Sequence, residues 1–153
     1  MKEMDRSTFM KLAGAGSAAA AIPFVGKLAE SRVEHGVLRF RAAGGVPKEP
    51  LPSYATHLVE GTVDLGAGTG LVTSRVVAGH PGEPSLIGLP GLSRVISITN
   101  VEPDGQRYRL QGVIEDRSQL QRGESPMVEI LVDRARKLVH VPFLGHPSAL
   151  PLA

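Results

Sequence analysis

Five histidines, at positions 35, 57, 80, 140 and 146, are the side chains best suited to metal ligation or general-base chemistry in this 153-residue chain. A zinc site built on imidazoles favours pairs spaced along one helix face or two residues apart on a strand, and none of the five is so placed. The chain has no Cys, which rules out disulfides, thiolate zinc sites, iron–sulfur clusters and a Cys nucleophile. No metal or cofactor is expected. Serine chemistry has no Gly-x-Ser-x-Gly elbow and no Ser-x-x-Lys motif. A Ser/His/Asp site is assembled by the fold, however, and needs no local motif. It would require two or more of His57, His140, Asp116 and Glu129 to converge in one concavity. Glu115 and Asp116 are adjacent, so on a strand they face opposite ways and cannot share a proton.

The segment Glu115–Pro126 is the longest polar connection between two firm strand patterns, and binding residues favour such loops on rigid scaffolds. Its candidate binding residues are Glu115, Asp116, Arg117 and Arg122. Arg107, Arg109 and Gln111 lead into it along one strand face, where they could meet an anion or carboxylate. The plainer reading is a soluble loop beside a solvated sheet face. Gly66-Ala67-Gly68-Thr69-Gly70 matches a phosphate loop only in glycine count, because a strand pattern follows where a helix N-terminus is needed.

The elements that must position these groups have a period of two. His57, Val59, Gly61, Val63 and Leu65 alternate with Leu58, Glu60, Thr62 and Asp64, the pattern of a half-buried strand. Further strands are expected at Val37–Ala42, Leu71–Ala78, Leu86–Leu89, Arg94–Val101, Arg107–Glu115, Met127–Asp133 and Leu138–Leu144. Gly, Pro and Asp clusters separate most of them. Seven or eight short strands without helical interludes predict an all-β, antiparallel sandwich or small barrel. Pro103-Asp104-Gly105 predicts a turn that pairs Glu102 with Gln106 and sets Ile98 opposite Leu110. Ile96, Ile98, Tyr108, Leu110 and Ile114 then share one face, with Ser97, Thr99, Arg107, Arg109 and Gln111 on the other. Pairing Val132 with Val139 gathers Val128, Ile130, Val132, Val139, Val141 and Phe143 on one apolar face. It turns His140 outward, opposite Leu131 and diagonal to Glu129 and Asp133. The hairpin around Gly66–Gly70 admits more than one register. Residues 43–53, rich in Gly and Pro, are expected to form a loop rather than a domain linker.

The first residues follow a different plan. Lys2, Arg6 and Lys11 precede an uncharged stretch from Leu12 to Val25 that is dominated by Ala and Gly. A basic start, a mild apolar run and small residues make the three-part plan of a secretory signal. The run is too short to be an ordinary membrane span. Arg6-Ser7-Thr8-Phe9-Met10-Lys11 resembles the twin-arginine export motif: Arg6, Phe9 and Lys11 match, Met10 stands in for Leu, and Ser7 takes the place of the second arginine. The resemblance implies engagement with an export machinery, by the twin-arginine or the general secretion route. Cleavage is expected after Ala20 or Ala21. The expected organisation is a signal helix and leader over 1–29, then one all-β domain over 30–153, located in the periplasm, at the cell surface or outside the cell.

Charge supports that division. The whole chain is +2 with a pI near 9.2. Four of the 17 Lys and Arg and two of the 15 Asp and Glu lie in residues 1–29, leaving 13 of each sign in the remainder. The domain itself is formally neutral and has few aromatic side chains, so no nucleic-acid partner is expected. Three functions fit: a non-catalytic exported module that binds a protein partner or self-associates, a small barrel holding an apolar ligand, or a cell-envelope hydrolase.

Overall fold

A computed structural model of the chain describes residues 31–46 and 54–153. The leader and its export motif, and the middle of the Pro-rich connector, lie outside the described residues. The rest is all-β. Nine strands run in chain order: β1 (Arg32–Glu34), β2 (Val37–Gly45), β3 (Ala55–Asp64), β4 (Thr69–His80), β5 (Glu83–Asp104), β6 (Arg107–Ile114), β7 (Met127–Asp133), β8 (Leu138–Phe143) and β9 (His146–Pro151). Each pairs antiparallel with its chain neighbour in one sheet. Of the seven- to eight-stranded sandwich or small barrel expected, the all-β antiparallel class holds, but nine strands form one continuous meander that curls into a half-barrel instead of dividing into two packed sheets. Curling brings β9 back toward β2, where Leu152 bridges Ala42 and the Ala153 N–H donates to Arg41 O at 2.9 Å. Among the described residues no helix is long and apolar enough to cross a membrane.

Alternation drives the curl, since only one face carries enough apolar area to exclude water. Leu38, Phe40, Val59, Val63, Val72, Ile96, Leu110, Ile130 and Val139 point inward and form one cluster. Leu58 breaks the alternation on β3. It belongs to the outer face yet is buried with Ala43 and Val77, so the first half of β3 is buried on both faces rather than half-buried as expected.

The Val132–Val139 pairing is as expected, with Leu131 opposite His140. The β5–β6 register is not. Asp104 pairs with Arg107 across a two-residue turn, and Gly105 takes φ 60° there, a conformation that costs glycine little. A bulge at Thr99 then sets Ile98 opposite Gly112 instead of Leu110. Beyond the bulge the register differs from the expected one by two residues, and a two-residue slip preserves which side faces inward. Ile96, Ile98, Leu110 and Ile114 are accordingly all buried.

Leu86–Leu89 and Arg94–Val101 are parts of one long strand, β5. Arg75 pairs with Ser93 and Val77 with Gly88, so β5 carries extra residues around Pro90-Gly91 that bend it. The outer part of the β4–β5 hairpin forms an arm with Leu86 and Ile87 exposed. Strands β1 and β9 were not foreseen. The first is three residues long, and the second contains Pro147 and Pro151, which suit an edge strand better than a central one.

The Phe40 ring covers Gly61, its cross-strand partner, so a Cβ on Gly61 would collide with the ring. Gly61→Ala is expected to destabilise the domain by about 1–3 kcal/mol, the usual cost of overpacking a closed core. Phe40→Leu in the same chain should recover part of the loss in urea unfolding, whereas additive losses would show that the ring is not the obstacle.

Candidate functional site

A cleft of about 180 Å³ opens on the inner side of the half-barrel, at the end carrying the β6–β7 loop and the β8–β9 turn. Val76, Ile96, Ile114, Val128 and Phe143 give it mainly apolar walls, while His57, Ser74, Arg94 and Glu124 supply the polar side chains with the most buried functional groups.

His57 and Ser74 come from adjacent strands. The register pairs His57 with Val76 and Val59 with Ser74, so the two inward side chains are diagonal neighbours. His57 Nε2 lies 2.7 Å from Ser74 Oγ. The imidazole is 1% exposed and packs against the Phe143 ring at a centroid distance of 4.9 Å. Its Nδ1 is buried without a hydrogen-bond partner among the described residues. Burial penalises the charged imidazolium and pushes the His57 pKa down from 6.5 to about 4, so the ring is neutral at pH 7. A neutral imidazole offers one donor and one acceptor. Because the Ser74 hydroxyl can either donate or accept, Nδ1 can be either one.

Arg94 forms the other polar wall. Its Nε donates to Glu124 Oε1 at 2.9 Å, and Nη2 donates to Oε2 at 3.1 Å and to Gln119 O at 3.0 Å. Nη1 donates to Gly91 O at 2.8 Å and Ser93 O at 3.0 Å. All five N–H groups of the guanidinium are thus engaged. Burial alone would raise the Glu124 carboxyl, but hydrogen bonds from Arg94 and the Gln121 N–H, with the Arg94 charge, hold it below the ordinary range. The clamp ties the bend in β5 to the loop over the cleft. A one-turn 3₁₀ helix, Arg117–Gln119, stiffens that loop, and Asp116 caps it by accepting from the Ser118 N–H at 2.9 Å. The two-residue β8–β9 turn completes the rim, with Leu144 at φ 48° and Gly145 at φ 83°. A bulky side chain at positive φ is uncommon, and Leu144 also lines the cleft.

The residues favoured from sequence lie elsewhere. Arg107, Arg109 and Gln111 project from the outer face of β6. Arg109 sits 3.6 Å from Glu102 and 3.7 Å from Glu129, while Gln111 accepts from Asn100. Glu115 accepts from Ser97, Asp116 serves its cap, and Arg117 and Arg122 are exposed on the loop. His140 and Glu129 are also exposed on the outside, so of His57, His140, Asp116 and Glu129 only His57 lines the cleft. Among the described residues no group of three or more His, Asp or Glu is placed to hold a metal ion. Sequence reading did not single out Ser74, Arg94 or Glu124. Alternation along β3 did place His57 on the apolar face, but its partner depended on the unresolved Gly66–Gly70 register. That register pairs Asp64 with Thr69.

Two measurements probe this geometry. Arg94→Met strands the buried Glu124 carboxylate and should cost about 3–5 kcal/mol in urea unfolding, with Glu124→Gln added to it restoring much of the loss. For His57, the unfolded chain takes up the proton near pH 6.5 and the folded chain only near 4, so stability falls as pH drops through that window. The loss approaches roughly 3 kcal/mol by pH 4. His57→Leu should remove that part of the acid sensitivity; identical pH profiles for the two proteins would mean that His57 is not the group titrating. Compared with known proteins, the chain matches no family model, no curated protein and no solved structure.

Proposed function

We propose that this protein is an exported, non-catalytic β-domain that binds a small molecule in the cleft beneath the β6–β7 loop. The observation that carries the proposal is the cleft itself: mainly apolar walls with a few fixed polar groups, the His57–Ser74 pair on one side and the Arg94–Glu124 clamp on the other. Concave apolar sites with a few placed polar groups are the usual form of small-molecule pockets. Acyl transfer would use the same His57–Ser74 pair, but among the described residues no carboxylate meets His57 Nδ1 to orient the ring and stabilise its charged form. Binding requires no such third group. Export rests on the basic, apolar and small-residue plan of residues 1–29 and the motif at Arg6, Phe9, Met10 and Lys11.

A second reading, surface assembly, is favoured by the β4–β5 arm, where Leu86 and Ile87 are each 69% exposed. Native mass spectrometry of the protein from its own host separates the two. A mature mass beginning near residue 21 with a retained small-molecule adduct is expected under the first reading. A bare protein whose mass rises with concentration would favour the second, and an intact Met1 would overturn cleavage.

A further inference from the structure

We infer that two copies of this chain dimerise by exchanging arms, the β4–β5 arm of each seating Leu86 or Ile87 in the cleft of the other. This rests on the assembly reading above and adds the occupant of the cleft. The first argument is where the exposed apolar side chains lie. Among the described residues five large ones are exposed, and four of them, Tyr54, Leu86, Ile87 and Met127, are at the open end. Met127 lines the mouth of the cleft, and the Tyr54 ring meets His80 on the arm edge-on at 5.0 Å. Leu89 and Leu92 pack against the cluster of Ala55, Val76 and Phe143, so β5 leads from the cleft wall into the arm. Apolar side chains concentrated in this way mark a surface that another molecule covers.

Shape is the second argument. The cleft is open and, at about 180 Å³, slightly larger than an engineered apolar cavity of about 150 Å³ that holds benzene. A Leu or Ile side chain is smaller than benzene, so one fits when carried in on a larger body. The chain presents two such side chains beside the cleft yet leaves each 69% exposed, so they do not fill the cleft of their own copy. One surface therefore carries both knob and hole. A two-fold axis through it satisfies both at once, which is what a closed dimer requires. A lipid surface would take the exposed side chains but leave the cleft without a shaped occupant.

Charge is the third argument. No charged residue lies between Pro84 and Ser93 on the arm. In the cleft, Arg94 and Glu124 are engaged with each other. Seating the arm thus neither strands a charge nor sets like charges together. A small molecule in the cleft would exclude the arm, so ligand binding and dimerisation would oppose each other.

The test follows the full chain, with ¹³C-labelled methionine methyls, by sedimentation and NMR over a dilution series. A monomer–dimer equilibrium is expected, with the Met127 methyl signal moving as the dimer forms. Leu86→Ser together with Ile87→Ser should weaken dimerisation roughly a hundredfold or more, since each copy loses a buried aliphatic side chain from the interface. Met127→Arg keeps the arm but sets a charge at the mouth of the cleft, and should do the same; loss of its methyl signal also assigns the wild-type one. All three positions are exposed, so the variants retain the folded core. A dimer that needs Leu86 and Ile87 but survives Met127→Arg, with an unmoved Met127 methyl, would overturn the seating of arm in cleft and leave assembly through the arm standing. Species that grow beyond the dimer would overturn the reciprocal exchange. A dimer indifferent to Leu86 and Ile87, or a monomer at every concentration, would overturn this inference and the assembly reading together. A monomer that floats with neutral phosphatidylcholine vesicles would overturn it in favour of a lipid surface.

Discussion

A guanidinium that is 6% exposed must satisfy five donors inside the protein, and the way Arg94 does so organises the open end of the half-barrel. Leaving even one of those donors unpaired in a low-dielectric site costs more than an ordinary hydrogen bond contributes. Two of the five are met by carbonyls at Gly91 and Ser93, where β5 bends. The other three are met by Gln119 and Glu124, on the longest described loop of the chain. Bend and loop are therefore held as a unit. The cleft lies beneath that unit, and its shape depends on the ion pair although neither charge is available to a ligand.

The curled sheet divides two kinds of chemistry. On the outer face, charges meet in pairs and short ladders: Arg109 with Glu102 and Glu129, and Glu60 with Arg41 and Arg75. Pairs such as those of Arg109, about half exposed, contribute little to stability and keep the surface soluble. On the inner face the polar groups are few and mostly matched, and burial keeps the His57 ring neutral. Anion recognition by the arginines of β6 would have to compete with carboxylates already beside them. The neutral character of the cleft thus follows from the same constraint that holds its rim.

Much of the fold was legible because period-two alternation is a local property. Which residues of β6, β7 and β8 face inward could be read without any neighbour, and those inward positions are buried, with Tyr108 half-buried near the turn. Register was less legible. Beyond the bulge the β5–β6 pairing differs by two residues from the one the Pro103-Asp104-Gly105 turn suggests, and such a slip changes no side chain's face; between bulge and turn the difference is three, which turns Val101 inward and Asn100 outward. Only the Gly105 turn and the bulge at Thr99 distinguish the alternatives. The edges were hidden for another reason: β1 is too short to show a period, and the prolines of β9 disguise a strand.

By itself, the sequence determined the all-β class, the inward and outward faces of most strands, the absence of thiol chemistry and the confinement of net positive charge to the first 29 residues. Each is a matter of residue type or local spacing. Only the tertiary structure decided that one sheet curls upon itself, that His57 meets Ser74, and that Arg94 reaches Glu124 across 30 residues of chain. Those contacts depend on bulges and registers, which are settled by packing over the whole sheet. A buried polar group also finds its partner wherever the closed chain brings one. For that reason the arginines conspicuous in sequence lie outside on β6 and its loop, while an unremarkable His, Ser, Arg and Glu line the cleft.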